Sequence, residues 1–202
     1  MTPGPTTGVT TGLVLAAGSS QRLGRPKQLL PWGDGTLLDA TLANARACGF
    51  DQLIVTLGGS ADEVEATVDL SGCTVVRNTE FATGCSSSIA VALPAIDPRA
   101  DGFVLMLGDQ PFIAPSTVSG LIEAARGKDI AVTRYRDGIG HPFWLGRELF
   151  DDLANLHGDK GVWKLVDRVG DGLTTYDVAL DVPRDVDTWE DYEALKASAE
   201  RG

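Results

Sequence analysis

Cysteine is scarce: Cys48, Cys73 and Cys85 are the three in 202 residues. The number is odd and no pair has CxxC spacing, which argues against a disulfide framework. Cys48 and Cys73 have apolar neighbours and read as packing residues. Histidine is scarcer still, with two residues and no tight His/Cys cluster, which argues against a structural zinc site. Positive charge is short: Lys and Arg total 17 against 28 Asp and Glu, a formal net charge of -11. Nucleic acid or an anionic membrane would be repelled by such a surface, so neither is expected as a partner. Any phosphate must then be held by a few local cations, by backbone N–H groups or by a metal ion. No apolar run approaches the roughly 18–20 residues of a membrane helix. The first twelve residues, MTPGPTTGVTTG, carry no basic region followed by an apolar one, so they do not read as a signal peptide. Residues 1–11 are expected to be a flexible lead-in, residues 12–202 one domain, and the location cytoplasmic.

What remains is an ordinary globular composition, 43% apolar and 22% charged, in a chain long enough for one full core. Apolar runs of strand length alternate with longer segments of helical period. Gly12 opens the first run, LVLAA, and a polar loop follows. TLLDATLANARACG reads as a helix closed by Gly49. QLIVTL is a strand, SADEVEATV a short helix capped by Ser60, and CTVV a strand. GCSSSIAVALPAI reads as loop then helix, GFVLML as a nearly continuous apolar strand, STVSGLIEAAR as a helix and DIAVTRY as a strand. The remainder holds GHPFW as loop or strand, two short helices, the strand LTTYDVAL and a closing helix, WEDYEALKASAE. Apolar strands separated by helices predict one doubly wound α/β domain with a mostly parallel sheet. Ligands of such folds gather outside the carboxyl ends of the strands.

Two polar motifs sit at such ends. The first, LVLAAGSSQRLGRPKQLLPW, runs from Leu13 to Trp32. Gly18 permits a turn that brings N–H groups close to a ligand, and Ser19 and Ser20 add hydroxyls. Arg22 and Lys27 supply positive charge, so the loop suits a triphosphate; the alternative is a solvated loop that carries cations. It has neither Walker A spacing nor a GxGxxG fingerprint. The second motif, Gly108-Asp109-Gln110-Pro111, places a carboxylate just past a buried strand, where it is either a magnesium ligand or a turn residue.

Further along, DVPRDVDTWEDYEAL offers Asp185 as a second carboxylate, with Asp187 or Thr188 capping the last helix. Asn78, Gly84 and the run Ser86 to Ser88 precede a helix; the serines either hold an anion or cap that helix. Cys85 has no identifiable base beside it, so nothing marks it as a nucleophile.

The first motif resembles the signature LAAGxSxRxGxxK of the MobA-like nucleotidyltransferases. The double alanine and the continuation KQLLPW resemble most closely the molybdenum cofactor cytidylyltransferases. The GDQP, GHP and GDKG segments, and the DVDTWEDY segment with Trp189 in place of a proline, extend the resemblance to about Tyr192. It implies the fold of nucleotide-diphospho-sugar transferases. It implies nucleotide contacts from Leu15, Ala16, Ala17, Gly18, Ser19, Ser20, Gly58, Asn78, Gly84, Ser86, Ser87 and Gly108. Arg22 and Lys27 would stabilise the departing pyrophosphate, and Asp109 and Asp185 would hold Mg²⁺. The acceptor would meet Gln110, Pro111, His141, Pro142, Gly158, Asp159 and Lys160. The implied substrates are CTP, or another NTP, and molybdopterin cofactor, with a molybdenum hydroxylase or its maturation factors as a protein partner. Three alternatives stand beside this: transfer from GTP or to a sugar phosphate, a molybdenum cofactor carrier without turnover, and an NAD(P)-dependent oxidoreductase.

Overall fold

The computed structural model describes residues 8–159 and 161–199. Lys160 therefore lies outside the described residues. The first strand, β1 (Val9–Ala16), begins three residues before the expected Gly12. Val9 and Thr11 pair with Ala100 and Phe103, so the start of the sheet includes part of the presumed lead-in. A small hairpin follows, β2 (Pro31–Trp32) and β3 (Gly35–Thr36), and leads into α1 (Leu37–Ala47). Thr36 and Asp39 form a reciprocal capping box at that helix start.

Next come β4 (Gln52–Leu57), α2 (Ala61–Thr67), β5 (Cys73–Arg77), α3 (Cys85–Ala92), β6 (Ala100–Leu107) and α4 (Pro115–Ala124). The chain continues through β7 (Ile130–Arg134), β8 (Ile139–Gly146), α5 (Phe150–Ala154), α6 (Gly161–Val169), β9 (Thr174–Asp177) and α7 (Trp189–Ala199). Ser60 precedes α2 as expected, but its side chain makes no capping bond.

Seven strands form one sheet in the order β5-β4-β1-β6-β8-β7-β9. β8 is antiparallel to both of its neighbours, and the other neighbouring strands pair in parallel. The GHPFW segment thus lies within a strand. Alternation along β1 divides the core between the faces of the sheet. Val14 packs with Leu38, Leu42, Val64, Val118 and Leu121, from the helices α1, α2 and α4. Leu13 packs with Ile89, Leu153, Val162 and Leu165, from α3, α5 and α6. Both residues are fully buried. Cutting Leu13 to alanine would cost about 2–5 kcal/mol.

A third apolar cluster decides where the site lies. Leu23, Leu30, Leu37, Val186, Tyr192 and Leu195 pack together away from the sheet faces. It joins the loop after β1 to the segment before α7, two parts of the chain more than 150 residues apart. Val186 is fully buried there. Side chains two apart on an extended chain point the same way, so burying Val186 turns its neighbours Asp185 and Asp187 toward the carboxyl ends of β1 and β6.

Candidate active site

β1 and β6 are neighbours at the centre of the sheet, and the chain leaves them on the same edge. Strand order runs outward from β1 toward β4 on one side and toward β6 on the other, which is the topological switch point where open α/β sheets bind ligands. A cleft of about 760 Å³ opens there. Leu15 to Ser20, Arg22 and Lys27 form one wall, and Gly108, Asp109, Asp185 and Asp187 form another. Phe81 to Cys85, Ser88 and Asp159 form a further side. The volume suits a nucleotide-sized ligand.

The backbone of the first loop is held tightly. Ser20 is the one non-glycine residue with positive φ among the described residues, at 50°. Lys27 N–H donates to Ser20 Oγ at 2.9 Å. Gln28 Nε2 donates to Ala16 O at 2.6 Å and to Gly18 O at 3.2 Å. A Cβ on Gly58 would lie 2.2 Å from Ala17 O, so the chain after β4 supports the loop from behind only as glycine. A Cβ on Gly18, in contrast, would meet only Lys27 Cε, at 3.9 Å. The fold has room for a side chain at Gly18.

The electrostatic centre is Lys27. Its Nζ donates to Asp109 Oδ2 at 2.6 Å and stands 3.6 Å from Asp187 Oδ1. Burial alone would lower the lysine pKa, but Asp109, then Asp187 and Asp185, raise it above the ordinary value. Asp109 Oδ2 also accepts from Val186 N–H at 3.0 Å. Arg22 Nη2 donates to Asp187 Oδ2 at 2.6 Å on the solvent side. Asp185 Oδ1 accepts from Gln110 Nε2 at 2.8 Å. The outer side of Asp185 meets solvent, but the protein packed around its carboxyl and the nearby Asp109 charge raise its pKa.

The sequence-predicted residues separate into three groups. Leu15, Ala16, Ala17, Gly18, Ser19, Ser20, Arg22, Lys27, Gly84, Gly108, Asp109, Asp159 and Asp185 share the cleft. A second group supports its walls without lining them. Gly58 backs Ala17. Asn78 donates to the Ser87 and Ser88 hydroxyls. Ser86 Oγ donates to Gly158 O at 2.5 Å, and Ser87 Oγ to Gly84 O at 2.7 Å. The Ser86 and Ser87 hydroxyls are thus spent within the protein, and Ser88 alone of the three lines the cleft. Asp159 Oδ1 accepts from Cys85 N–H at 3.0 Å, so the GDKG loop caps α3 from outside the helix.

The third group lies elsewhere. Gln110 and Pro111 line a separate, more apolar groove of about 490 Å³ beside Phe112 and Leu180. His141 stacks on Phe143 with ring centroids 4.4 Å apart. Burial brings its pKa down to about 4, against a smaller opposing pull from Asp109. Pro142 is buried beside it. Thr188, not Asp187, caps α7: its Oγ1 accepts from Asp191 N–H, and Asp191 Oδ2 accepts from Thr188 N–H at 2.8 Å. Burial pushes the Cys85 thiol up to about 11, which leaves it a poor nucleophile.

Sequence reasoning missed Gln28 and Asp187 as parts of the cleft. Gln28 follows Lys27 in the motif, but a glutamine inside an apolar stretch carries no signal of its own. Asp187 carried the competing signal of a helix cap, which Thr188 satisfies instead.

Among the described residues, no group of three or more His, Cys, Asp or Glu side chains is arranged to hold a metal ion. Two carboxylates facing a common cleft are nevertheless what magnesium takes from proteins when phosphates and water complete its shell. The ammonium of Lys27 already sits as a cation against Asp109. The donor set therefore fits a hard divalent cation.

Residues 12–173 match the MobA-like NTP transferase domain family. The chain is 30% identical over 160 residues to nicotine blue oxidoreductase of Paenarthrobacter nicotinovorans, covering 75% of this chain and 78% of that protein. It is 31% identical over 138 residues to molybdenum cofactor cytidylyltransferase of Escherichia coli K12, covering 67% of this chain and 69% of that protein. Among solved structures, the manganese complex of Rv0371c from Mycobacterium tuberculosis H37Rv superposes with a TM-score of 0.85 at 51% identity, covering 94% of this chain and 99% of that one.

Proposed function

The chain belongs to the MobA-like NTP transferase domain family, and from that premise we propose that it transfers CMP from CTP to the terminal phosphate of molybdopterin cofactor, releasing pyrophosphate. The observation that carries this reading is the meeting of Lys27, Asp109 and the loop after β1 in one cleft. The similarity to a molybdenum cofactor cytidylyltransferase supports the choice of nucleotide and acceptor.

In this reading the N–H groups after Ala17 and the side chains of Lys27 and Arg22 receive the triphosphate. Lys27 is placed to offset charge growing on the leaving pyrophosphate, and such positioning and charge stabilisation are the main means of catalysing phosphoryl transfer. Arg22, which is exposed, guides and holds the outer phosphates. The acceptor phosphate is largely ionised near neutral pH, so attack on the α-phosphorus needs no strong base from the chain. A divalent cation on Asp109 and Asp185, Mg²⁺ in the cell, would supply neutralisation of the facing phosphate oxygens. Manganese in the Rv0371c structure supports a divalent site in such proteins. The members of the DVD segment divide the work: Asp185 would help hold a divalent ion, Val186 anchors the segment, and Asp187 balances Lys27 and Arg22.

The test is pyrophosphate release from purified protein with Mg²⁺, each of four NTPs and molybdenum cofactor. Release with CTP and cofactor together, lost in Asp109→Ala, is the expected result. Tight pterin binding without release indicates a carrier. Oxidation of NAD(P)H on a chromophoric substrate moves the chain toward the activity named for its Paenarthrobacter relative.

A further inference from the structure

We propose that Gln28 is a positioning residue that sets the direction of the backbone N–H groups in the loop after β1, and thereby the affinity for the β- and γ-phosphates. This rests on the nucleotidyl-transfer reading above and assigns it a residue outside the motif's charged set.

Gln28 is 4% exposed. Its one amide nitrogen donates to two carbonyls, Ala16 O at 2.6 Å and Gly18 O at 3.2 Å, on either side of the Ala17 peptide. Its Oε1 is buried with no partner among the described residues. These two donated bonds are therefore the side chain's hydrogen bonds among the described residues. In a trans peptide the N–H points opposite to the carbonyl across the same plane. Holding the Ala16 and Gly18 carbonyls on the Gln28 side turns the N–H groups of Ala17 and Ser19 to the other side of the loop. Between and beyond them, the N–H groups of Gly18 and Ser20 donate to no acceptor among the described residues. N–H groups gathered on one side of a loop make an anion site, and Ala17 and Ser19 supply two of them. The short turn that carries Gln28 also carries Lys27, whose N–H holds Ser20 Oγ and whose Nζ reaches Asp109. One turn thus sets both the cation and the amide cradle.

The probe is inorganic pyrophosphate with MgCl₂, titrated into the full chain by calorimetry and by amide-resolved NMR. In the wild type, pyrophosphate is expected to shift the amide resonances of Ala17 to Ser20, those of Ala17 and Ser19 above all. Gln28→Met keeps the volume but removes both donors. Its expected result is a pyrophosphate affinity at least tenfold weaker, a CTP KM raised by a similar factor, and smaller amide shifts. Gln28→Glu, which keeps the shape but presents oxygens to oxygens, should behave at least as badly. Gln28→Met that folds and binds pyrophosphate within twofold of wild type overturns the proposal. If neither variant folds, the wild-type NMR decides: binding that moves Lys27 but leaves the amides of Ala17 to Ser20 unmoved overturns it equally. Wild-type protein that binds no pyrophosphate at all removes the nucleotidyl-transfer reading itself, and the role of Gln28 with it.

Discussion

Lys27 Nζ lies 2.6 Å from Asp109 Oδ2 in a pair that is 20% and 5% exposed at the side chains. The group suited to phosphate and the group suited to metal thus neutralise each other. In the proposed reaction, binding would exchange partners, with the carboxylate turning to the divalent ion and the ammonium to the triphosphate. Each ligand alone must break the pair, but the two together need not leave either charge bare. Metal and triphosphate are therefore expected to bind cooperatively, each raising the affinity of the other by the same factor, at least fivefold. Calorimetric titration of Mn²⁺ with and without a non-hydrolysable CTP analogue measures it; equal affinities in both titrations would falsify the exchange.

Removing Lys27 alone strands a buried carboxylate. Lys27→Met should lower stability by about 3–5 kcal/mol, the usual cost of breaking a buried pair from one side. Millimolar Mg²⁺ should restore more stability to this variant than to wild type, because the ion binds the folded form. Chemical denaturation with and without Mg²⁺ reads the difference, and an identical Mg²⁺ effect on both proteins would count against Asp109 as a ligand.

Three of the four carboxylates of the cleft, Asp109, Asp185 and Asp187, should separate by function. Asp109→Asn is expected to abolish pyrophosphate release and Mn²⁺ binding. Asp185→Asn should weaken Mn²⁺ at least tenfold. Asp187→Asn frees Arg22 and Lys27 from a competing anion, so it should chiefly change triphosphate affinity. Mn²⁺ binding lost in Asp187→Asn but kept in Asp185→Asn would transfer the second ligand role to Asp187.

Much of this arrangement was legible in the sequence because it is local. Strand-turn spacing placed Gly18 and Asp109 at strand ends, and both line the cleft. The motif around Lys27 is short enough for its charge to be read directly. Packing between distant segments was not legible. Val186 is a single valine in a polar stretch, yet its burial against Leu30 and Tyr192 is what orients Asp185 and Asp187. Ser86 and Ser87 read by type as either anion binders or helix caps, but their hydroxyls donate to the Gly158 and Gly84 carbonyls. His141 sits in a segment that resembles an acceptor contact, and only the packing of β8 shows it stacked on Phe143.

Gly18 gives a test that separates ligand from fold. A Cβ there meets nothing of the protein closer than 3.9 Å, so Gly18→Ala should change the melting temperature little. The added methyl would crowd an approaching phosphate, and KM for CTP should rise tenfold or more. Loss of stability with unchanged KM would show instead that the fold requires this glycine.

His141 links stability to pH. Its folded pKa is depressed to about 4, mainly by burial, against about 6.5 when unfolded. Between these values the unfolded chain binds the extra proton, so stability rises with pH through that window and is flat above it. The loss on acidification amounts to roughly 3 kcal/mol at most. His141→Gln should flatten the profile of unfolding free energy between pH 4 and 6.5, and a profile unchanged in the variant would assign the acid sensitivity to other groups.

The most direct measurement is anomalous diffraction from crystals carrying Mn²⁺ and a non-hydrolysable CTP analogue. Manganese touching the Asp109 and Asp185 carboxylates, with phosphate oxygens on Lys27 and on the N–H groups after Ala17, is the expected result. Manganese bound away from Asp109, or a triphosphate that leaves Lys27 still paired to that carboxylate, would contradict it.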